Sequence, residues 1–313
     1  MKKIYGLIGY PVKHSLSPKM HNAAFKNLKE QGKIDYDAEY RLFEVPPERL
    51  EEFLLDPNAK FEDIEGNSFP AGDVLGFNIT IPHKVKAREI LEREFPFDKN
   101  AYMMSEDLYY VKLSGAVNTV KREGNKYYNT DARGFLDSLK ANWGFETKDK
   151  NVLLIGCGGA GRAIIAVLSW KQAQIKKIYI YDISKEAMKS AEEHFRPFDF
   201  VKDKLEFIAA EQISDRIKKS DLLVNASPIG MKEGDGSVVD KNLLHEDLYA
   251  YDVVYNRETQ LIKDAKSLGL HFKDGLGMLL HQGAAAFEFW TGQEAPVEIM
   301  RKALEEELAR CKT

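Results

Sequence analysis

Apolar runs alternate along the chain with segments whose apolar residues recur at helical spacing. The first buried strands are predicted at "KIYGLIGY", "IDYDAEYRLFEV" and "VLGFNITIP". Segments of helical period follow them, such as "SPKMHNAAFKNL", "PERLEEFLL" and "HKVKAREILEREF". Strands that alternate with helices in this way predict an α/β fold with a parallel or mixed sheet.

A second series of strands begins at Asn151, after a predicted hairpin. The hairpin is "GAVNTVKREGNKYYNTDARGF", with Gly124 and Asn125 at its turn, and the helix "RGFLDSLKANW" after it is expected to bridge two domains. The later strands are predicted at "NVLLIG", "KKIYIYDIS", "LEFIAA", "DLLVNAS", "AYDVVY" and "HFKDG". Because single cores rarely grow beyond about 250–300 residues, a chain of 313 residues also favours two domains.

Composition and charge narrow the functional classes. The chain is 44% apolar and 30% charged, as in ordinary soluble globular proteins, and its net charge of −4 argues against nucleic acid as a partner. No run approaches the roughly 20 apolar residues of a membrane span. Cys157 and Cys311 cannot make a disulfide framework, and no signal peptide is recognisable at the amino terminus. We expect a cytoplasmic protein, monomer or homodimer, that binds small molecules and holds no metal.

A glycine-rich turn suggests the first ligand. In "VLLIGCGGAGRAIIAVL" the pattern G-x-G-x-x-G falls on Gly156, Gly158 and Gly161, between an apolar strand and an apolar helix. Such glycines allow a tight turn, a close approach of pyrophosphate and close packing of helix on strand. The alternative is that they only form a turn. The context favours a Rossmann-type dinucleotide-binding domain.

Asp182 is the candidate for ribose recognition. It ends the strand "KKIYIYD", about twenty residues after the last glycine, where a carboxylate accepts hydrogen bonds from a 2′-hydroxyl and repels a 2′-phosphate. The alternative is that Asp182 caps the next helix, which Ser184 could do as well. Lys185 nearby could soften the repulsion. We expect NAD to be preferred, with NADP possible.

Polar clusters punctuate the apolar strands of the first half, at the ends where open α/β sheets bind ligands. Lys84 is notable because the helix dipole disfavours a cation in a first helical turn. Taken singly, the serines and Asp131 could be helix caps and Asn118 could hold a turn. Together these side chains suit a small, hydroxylated, anionic molecule. The candidate positions are Ser15, Ser17, Asn78, Thr80, Lys84, Asn118 and Asp131.

An ordered set of motifs resembles the shikimate dehydrogenase family, including its quinate/shikimate relatives. The motifs run from Gly9 to Gly292: "GYPVKHSLSP", "NITIPHK", "GAVNT", "NTDARGF", "LLIGCGGAGRA", "NASPIGM" and "MLLHQGAAAFEFWTG". Two segments, 61–73 and 95–113, depart in length from compact family members. The insertion "DPNAKFEDIEGNSFPAGD", rich in loop-forming residues, is given no function.

The resemblance implies a role for each candidate. Lys84 and Asp131 would be a coupled catalytic pair, with Lys84 supplying and removing the proton of the reacting oxygen. Ser15 and Ser17 would hold the substrate carboxylate, while Thr80 and Asn118 would hold hydroxyls. Tyr255 and Gln282 would close the pocket. The cofactor would lie on Gly156, Cys157, Gly158, Gly159, Ala160 and Gly161, with Val253 and Gly275 beside the nicotinamide.

The implied activity is the reversible, nicotinamide-dependent reduction of 3-dehydroshikimate to shikimate. Residues 1–131 and 276–313 would form an α/β substrate domain with a mostly parallel sheet, and 132–275 the dinucleotide domain, with the active site in the cleft between them. Quinate dehydrogenase is the rival enzyme, because Asp182 resembles the NAD-using branch, whereas Ser17 favours shikimate. A catalytically silent sensor of shikimate or dinucleotide is the rival outside the enzyme class.

Overall fold

The computed structural model describes residues 2–97, 106–141, 143, 145–170 and 173–311, with the backbone alone at 106, 107 and 311. The chain divides into two compact units. Unit 1 comprises Met1–Gly134 and Leu279–Thr313, and unit 2 comprises Phe135–Met278. The predicted assignment of substrate and cofactor to separate domains, with boundaries at 131 and 275, stays a prediction.

Unit 1 is built on a five-stranded mixed sheet of order β2-β1-β5-β6-β7. Strand β1 is parallel to β2 and to β5, whereas β5, β6 and β7 pair antiparallel. Its elements are β1 (Lys3–Gly9), α1 (Ser17–Glu30), β2 (Ala38–Glu44), α2 (Leu50–Leu55), β3 (Lys60–Glu62), β4 (Ser68–Pro70), β5 (Val74–Ile79), α3 (Lys84–Glu94), α4 (Glu106–Ser114), β6 (Thr119–Lys121), β7 (Lys126–Tyr128), and the start of α5 (Asp131–Lys140). Helices α11 (Leu276–Thr291) and α12 (Val297–Cys311) return to it.

The returning helix α11 packs directly on this sheet. The Trp290 ring donates from Nε1 to the carbonyl of Val120 on β6 at 2.9 Å. A Cβ built on Gly76 of β5 would come within 2.5 Å of the Trp290 ring. Only glycine at this position leaves room for the indole. This contact fixes the position of α11 relative to β5 and β6.

Unit 2 contains a six-stranded sheet that is parallel throughout. Its elements are β8 (Asn151–Ile155), α6 (Gly159–Ser169), β9 (Lys177–Tyr181), α7 (Lys185–Phe195), α8 (Asp199–Lys202), β10 (Leu205–Phe207), α9 (Ile213–Ile217), β11 (Leu222–Asn225), β12 (Tyr249–Asp252), α10 (Gln260–Ser267) and β13 (Phe272–Lys273). The strand order is β10-β9-β8-β11-β12-β13. Counted from β8, this is the order 3-2-1-4-5-6 of dinucleotide-binding Rossmann domains, with its switch point between β8 and β11. The predicted fold class is confirmed.

Two local details add to the sequence analysis, and the second corrects it. The insertion is partly ordered as an antiparallel pair of β3 and β4, where Asp63 accepts hydrogen bonds from Asn67 and pairs with Arg41. Ser17 is the first residue of α1 and not its cap, because Leu16 is the N-cap residue. Residues 98–105 of the second long segment lie outside the described residues, as does the side chain of Cys311.

The residues that the structure describes contain neither a membrane-spanning helix nor a cluster of metal-ligating side chains. Within those ranges no helix is long and apolar enough to cross a membrane. In the same part of the chain, no group of three or more His, Cys, Asp and Glu side chains is placed to hold a metal ion.

Candidate active site

Lys84 and Asp131 form a buried ion pair in unit 1. Lys84 begins α3 and Asp131 begins α5, and Lys84 Nζ lies 2.6 Å from Asp131 Oδ2. The two side chains are only 12% and 5% exposed. A cation at the start of α3 opposes that helix dipole, whereas the carboxylate suits the start of α5. The pair thus supplies the charge that offsets the unfavourable position of Lys84.

The turn before Lys84 is anchored to the sheet. The carbonyl of Lys84 accepts a hydrogen bond from the Val117 amide at 3.0 Å. His83 is buried, and its Nε2 lies 2.6 Å from the carbonyl oxygen of Val45. Since that oxygen can only accept, Nε2 carries the proton. Burial lowers the pKa of His83, so the ring is held neutral beside the lysine.

Asn118 links the ion pair to the hairpin and to α11. Its amide nitrogen lies 2.9 Å from Asp131 Oδ1 and 3.4 Å from Gln282 Oε1. Its side-chain oxygen accepts from the Thr130 amide at 2.8 Å. Gln282 is buried on α11 and donates to the carbonyl of Leu279. Four of the predicted residues, Lys84, Asn118, Asp131 and Gln282, are therefore in one network, and Asn118 also holds the hairpin as its alternative role required.

Asn78 belongs to the same network but is fully engaged by the protein. Its side-chain oxygen accepts from the Tyr40 hydroxyl at 2.8 Å. Its amide donates to the Asn118 carbonyl at 3.2 Å and to the Thr119 hydroxyl at 3.0 Å. It is only 4% exposed. These contacts make Asn78 a residue that fixes the position of Asn118, and a direct contact with substrate stays a prediction.

The two serines lie at the start of α1 and just before it, and Thr80 lies just after the end of β5. Ser15 donates its hydroxyl hydrogen to Ser17 Oγ at 3.1 Å. Ser17 therefore keeps its own hydroxyl hydrogen for an acceptor, as a carboxylate clamp requires. Thr80 follows β5, and its hydroxyl makes no hydrogen bond among the residues that the structure describes. A Cβ on Gly9 would come within 2.3 Å of the Thr80 methyl group, so the glycine leaves the room that this methyl group occupies.

In unit 2 the glycine turn has the shape of a phosphate cradle. A Cβ on Gly161 would lie 2.1 Å from the Gly156 carbonyl oxygen, so the helix packs on the turn at a distance that only glycine allows. Gly158 is exposed, and a Cβ there would meet nothing within 4 Å. Gly159 and Ala160 are the first residues of α6, and the unpaired amides of a helix N-terminus favour an anion. The residues present fit a bound pyrophosphate. Burial raises the pKa of the Cys157 thiol to about 12, which keeps it neutral there.

Asp182 follows β9 and is fixed to the backbone by both oxygens. Oδ2 accepts from the Cys157 amide and Oδ1 from the Ser184 amide, both at 2.9 Å. Ser184, and not Asp182, is the N-cap of α7, because its hydroxyl accepts from the Ala187 amide. The alternative that Asp182 only caps its helix is therefore wrong.

The remaining predicted positions lie after β12 and β13. Gly275 is buried, and a Cβ there would come within 1.9 Å of the Val253 carbonyl oxygen, so these two segments touch through backbone. Tyr255 lies in the loop three residues after the end of β12 and is half-buried. It is thus a loop residue, whereas a strand end was predicted.

Comparison with known proteins identifies the family. Residues 7–120 match the family model of the shikimate dehydrogenase substrate binding domain, and residues 275–305 match that of the shikimate 5′-dehydrogenase C-terminal domain. Residues 152–233 match the saccharopine dehydrogenase NADP binding domain. A curated shikimate dehydrogenase (NADP(+)) of Methanopyrus kandleri is 38% identical over 97% of this chain and 96% of its own. The chain belongs to the shikimate dehydrogenase family.

Solved structures agree with this assignment. A shikimate 5-dehydrogenase from Listeria monocytogenes, in complex with shikimate and NAD, has a TM-score of 0.72 at 28% identity, covering 97% of this chain and 96% of that one. A quinate dehydrogenase from Corynebacterium glutamicum, in complex with NAD, has a TM-score of 0.73 at 25% identity, covering 98% and 100%. As a member of the shikimate dehydrogenase family, the chain is an NAD(P)-dependent oxidoreductase with a nicotinamide dinucleotide cofactor.

Several residues of the shikimate dehydrogenase network were not assigned roles from the sequence. Tyr40 and Thr119 hold Asn78, Thr130 holds Asn118, and Asn129 accepts from the amides of Asp131 and Ala132. The motif "NTDARGF" begins with Asn129 and Thr130, and it could have indicated that these two residues belong to the site. Tyr40 carried no such signal, because an aromatic residue in a strand is ordinarily part of the core.

Proposed function

We propose that this protein is a shikimate dehydrogenase, which reversibly reduces 3-dehydroshikimate to shikimate in the biosynthesis of chorismate and the aromatic amino acids. The observation that carries this proposal is the buried Lys84–Asp131 pair, joined through Asn118 to Gln282. A charged acid–base group within a set of hydrogen-bonding partners that are shielded from solvent is suited to the interconversion of an alcohol and a ketone.

Lys84 moves the proton of that interconversion. During reduction the carbonyl carbon gains a hydride, and the Lys84 ammonium gives a proton to the oxygen as it becomes a hydroxyl. In the reverse direction neutral Lys84 takes that proton while hydride leaves the carbon. Asp131 holds Nζ in place through their 2.6 Å contact.

Substrate recognition is proposed for the polar residues around this pair. Ser15 and Ser17 bind the carboxylate: Ser17 donates its own hydroxyl hydrogen, and Ser15 turns its hydrogen from Ser17 Oγ to the anion. Thr80, Asn118 and Gln282 bind ring hydroxyls, and Asn78 acts by fixing Asn118. Tyr255 is proposed as a further contact to the substrate.

The cofactor is proposed to bind at the glycine turn of unit 2. Its pyrophosphate would be held by the amides of residues 156–161, and its nicotinamide by the backbone of Val253 and Gly275. When bound, the nicotinamide accepts or supplies the hydride. The open space at Gly158 supports the first part, because a side chain at that position would occupy it.

NAD is the proposed preferred cofactor, on the strength of Asp182. Its carboxylate is held by two backbone amides, so it cannot swing away from a 2′-phosphate, and each oxygen keeps a lone pair for a ribose hydroxyl. The following residue, Ile183, is 84% exposed and offers no positive charge. The curated relatives at 33–38% identity are named for NADP(+), and a preference for NAD would distinguish this chain from them.

Quinate is a second candidate substrate. The quinate dehydrogenase with bound NAD supports it, because that protein matches over the whole fold. A non-catalytic sensor of shikimate or dinucleotide is disfavoured by the intact Lys84–Asp131 pair. Location in the cytoplasm and assembly as a monomer or homodimer remain predictions.

One assay tests the proposal. The purified full chain is mixed with shikimate or quinate and with NAD or NADP, and absorbance of the reduced nicotinamide is followed. We expect shikimate to give the higher kcat/KM, with 3-dehydroshikimate as product. Faster turnover of quinate would establish the second candidate. Binding of shikimate without reduction of either cofactor would establish the sensor and reject the enzyme.

A further inference from the structure

Asp252 is a buried carboxylate outside the candidate catalytic and substrate residues. It ends β12 in unit 2 and is 0% exposed. Its hydrogen-bonding partners are neutral: Oδ2 accepts from the Thr259 hydroxyl at 2.6 Å, and Oδ1 accepts from the Asn225 amide at 2.9 Å and from the Val254 backbone amide at 3.0 Å. Burial raises its pKa to about 6. Because an ionised group costs free energy to bury, a fully enclosed carboxylate indicates a specific task.

These hydrogen bonds join three separate segments. Asn225 ends β11, and its amide nitrogen also donates to the carbonyl of Ile229 at 2.9 Å. The carbonyl of Asn225 accepts from the Val253 amide, also at 2.9 Å. Thr259 is the N-cap of α10, where its hydroxyl accepts from the Ile262 amide. Asp252 therefore ties the loop 225–229 and the start of α10 to residues 253–254.

Two of those segments are in backbone contact with the predicted cofactor-binding glycines. A Cβ on Gly156 would come within 2.7 Å of the Ala226 carbonyl carbon and of the Ser227 amide nitrogen. A Cβ on Gly275 would come within 1.9 Å of the Val253 carbonyl oxygen. Because the backbones lie too close together for a Cβ to fit between them, a shift of either segment would move the glycine backbone beside it.

We infer that Asp252 is a positioning residue for cofactor binding, which fixes the backbone of residues 225–229 and 253–254 through Asn225, Val254 and Thr259. The inference rests on the proposed function, because that proposal assigns Val253 and Gly275 to the nicotinamide. Asp252 itself touches neither cofactor nor substrate in this account. Its effect is expected in the affinity for cofactor and not in the affinity for shikimate.

The test removes the charge of the Asp252 side chain and keeps its shape. In Asp252→Asn the side-chain oxygen can still accept from Asn225 and Val254, but the charge is lost and an amide faces Thr259. The dissociation constants of NAD and NADP are measured by calorimetry on the free protein, together with KM for shikimate. We expect cofactor binding to weaken about tenfold or more, the usual effect of removing a charged hydrogen-bond partner, and KM for shikimate to change less than about twofold.

Matched variants separate positioning from folding. Asp264 is a second buried acid in unit 2, which accepts from Gln260 on α10, and Asp264→Asn should bind cofactor as the wild type does. If Asp252→Asn does not fold, Thr259→Val and Thr259→Ser replace it. The valine variant should weaken cofactor binding, and the serine variant, which keeps the hydroxyl, should restore it.

The outcomes also distinguish this inference from the proposed function. A folded Asp252→Asn protein, or a folded Thr259→Val protein, with wild-type affinity for cofactor would overturn the inference even if the wild type oxidises shikimate. Equal losses in cofactor and shikimate affinity would also overturn it, since they indicate general distortion. A wild type that binds cofactor but does not oxidise shikimate would reject the proposed function and leave the binding measurement decisive for Asp252.

Discussion

The carboxylate of Asp182 accepts a hydrogen bond from the Cys157 amide at 2.9 Å, which joins the end of β9 to the glycine turn. Asp182, the candidate for ribose recognition, is thus attached directly to the glycine turn, the candidate for phosphate binding. Sequence spacing of about twenty residues predicted that the two would serve the same cofactor. The hydrogen bond shows that residues at this spacing lie side by side in unit 2.

The first prediction concerns cofactor choice. We expect kcat/KM with NAD to exceed that with NADP, and Asp182→Asn to reduce the NAD/NADP ratio by about tenfold. Like charges about 4 Å apart repel by about 4 kcal/mol at an effective dielectric constant near 20, and solvent screening lowers this value. Steady-state kinetics with both cofactors measures the ratio. Asp203→Asn, an exposed acid of the same unit, is the control. A wild-type preference for NADP would contradict the assignment.

The second prediction concerns the serine pair. Replacing Ser15 and Ser17 together by alanine should raise KM for shikimate by about tenfold or more, because hydrogen bonds to charged groups contribute roughly 1.5–3 kcal/mol each. The KM for cofactor should stay unchanged. Ser68→Ala on the exposed edge of β4 serves as the control. Unchanged shikimate kinetics in the double variant would remove the carboxylate clamp from the account.

The third prediction is a dependence of stability on pH through His21. This residue is 0% exposed in unit 1, and its ring stacks on Tyr40 with centroids 4.3 Å apart. Burial lowers the pKa of His21 from 6.5 to about 3. Between these two pH values His21 is protonated in the unfolded chain and neutral in the native chain. The free energy of unfolding therefore falls as pH falls below about 6.5. The loss approaches about 1.4 kcal/mol per pH unit for one proton.

Denaturant unfolding at pH 7, 6, 5 and 4 checks this dependence. His21→Phe should have a flatter profile than the wild type, whatever its stability at pH 7, because phenylalanine does not titrate. His14→Gln, at an exposed histidine, should keep the wild-type profile. Asp252 acts in the opposite direction, since its pKa is raised to about 6 and the native state holds its proton longer. Parallel profiles for wild type and His21→Phe would show that His21 does not contribute.

Local signals in the sequence predicted much of the fold and part of the candidate site. The strand, glycine turn and helix around Gly158 follow from residues within one short stretch, as does the hairpin turn at Gly124 and Asn125, both of which have positive φ. The short strands β3 and β4 were not predicted, because "KFE" and "SFP" are too short and too polar for a period-two signal.

Partnerships across the sheet could not be derived from the sequence. Asn78 is held by Tyr40 and Thr119, which are 38 and 41 residues away in the chain. An asparagine near the end of an apolar strand is equally compatible with a ligand contact and with a buried structural role. Its engagement becomes evident only when strand register places those partners beside it. The same holds for Asp252, whose motif "DVVY" gave no sign that the carboxylate is enclosed.

The fourth prediction addresses Lys84 directly, through single-turnover hydride transfer from shikimate to cofactor. Lys84→Ala should slow this step by about 10²–10⁴, the usual contribution of general acid–base catalysis, while the dissociation constant of the cofactor stays unchanged. Lys86→Ala removes an exposed lysine from the same helix and should keep the wild-type rate. A Lys84→Ala protein that transfers hydride as fast as the wild type would contradict the central claim that the Lys84–Asp131 pair moves the proton.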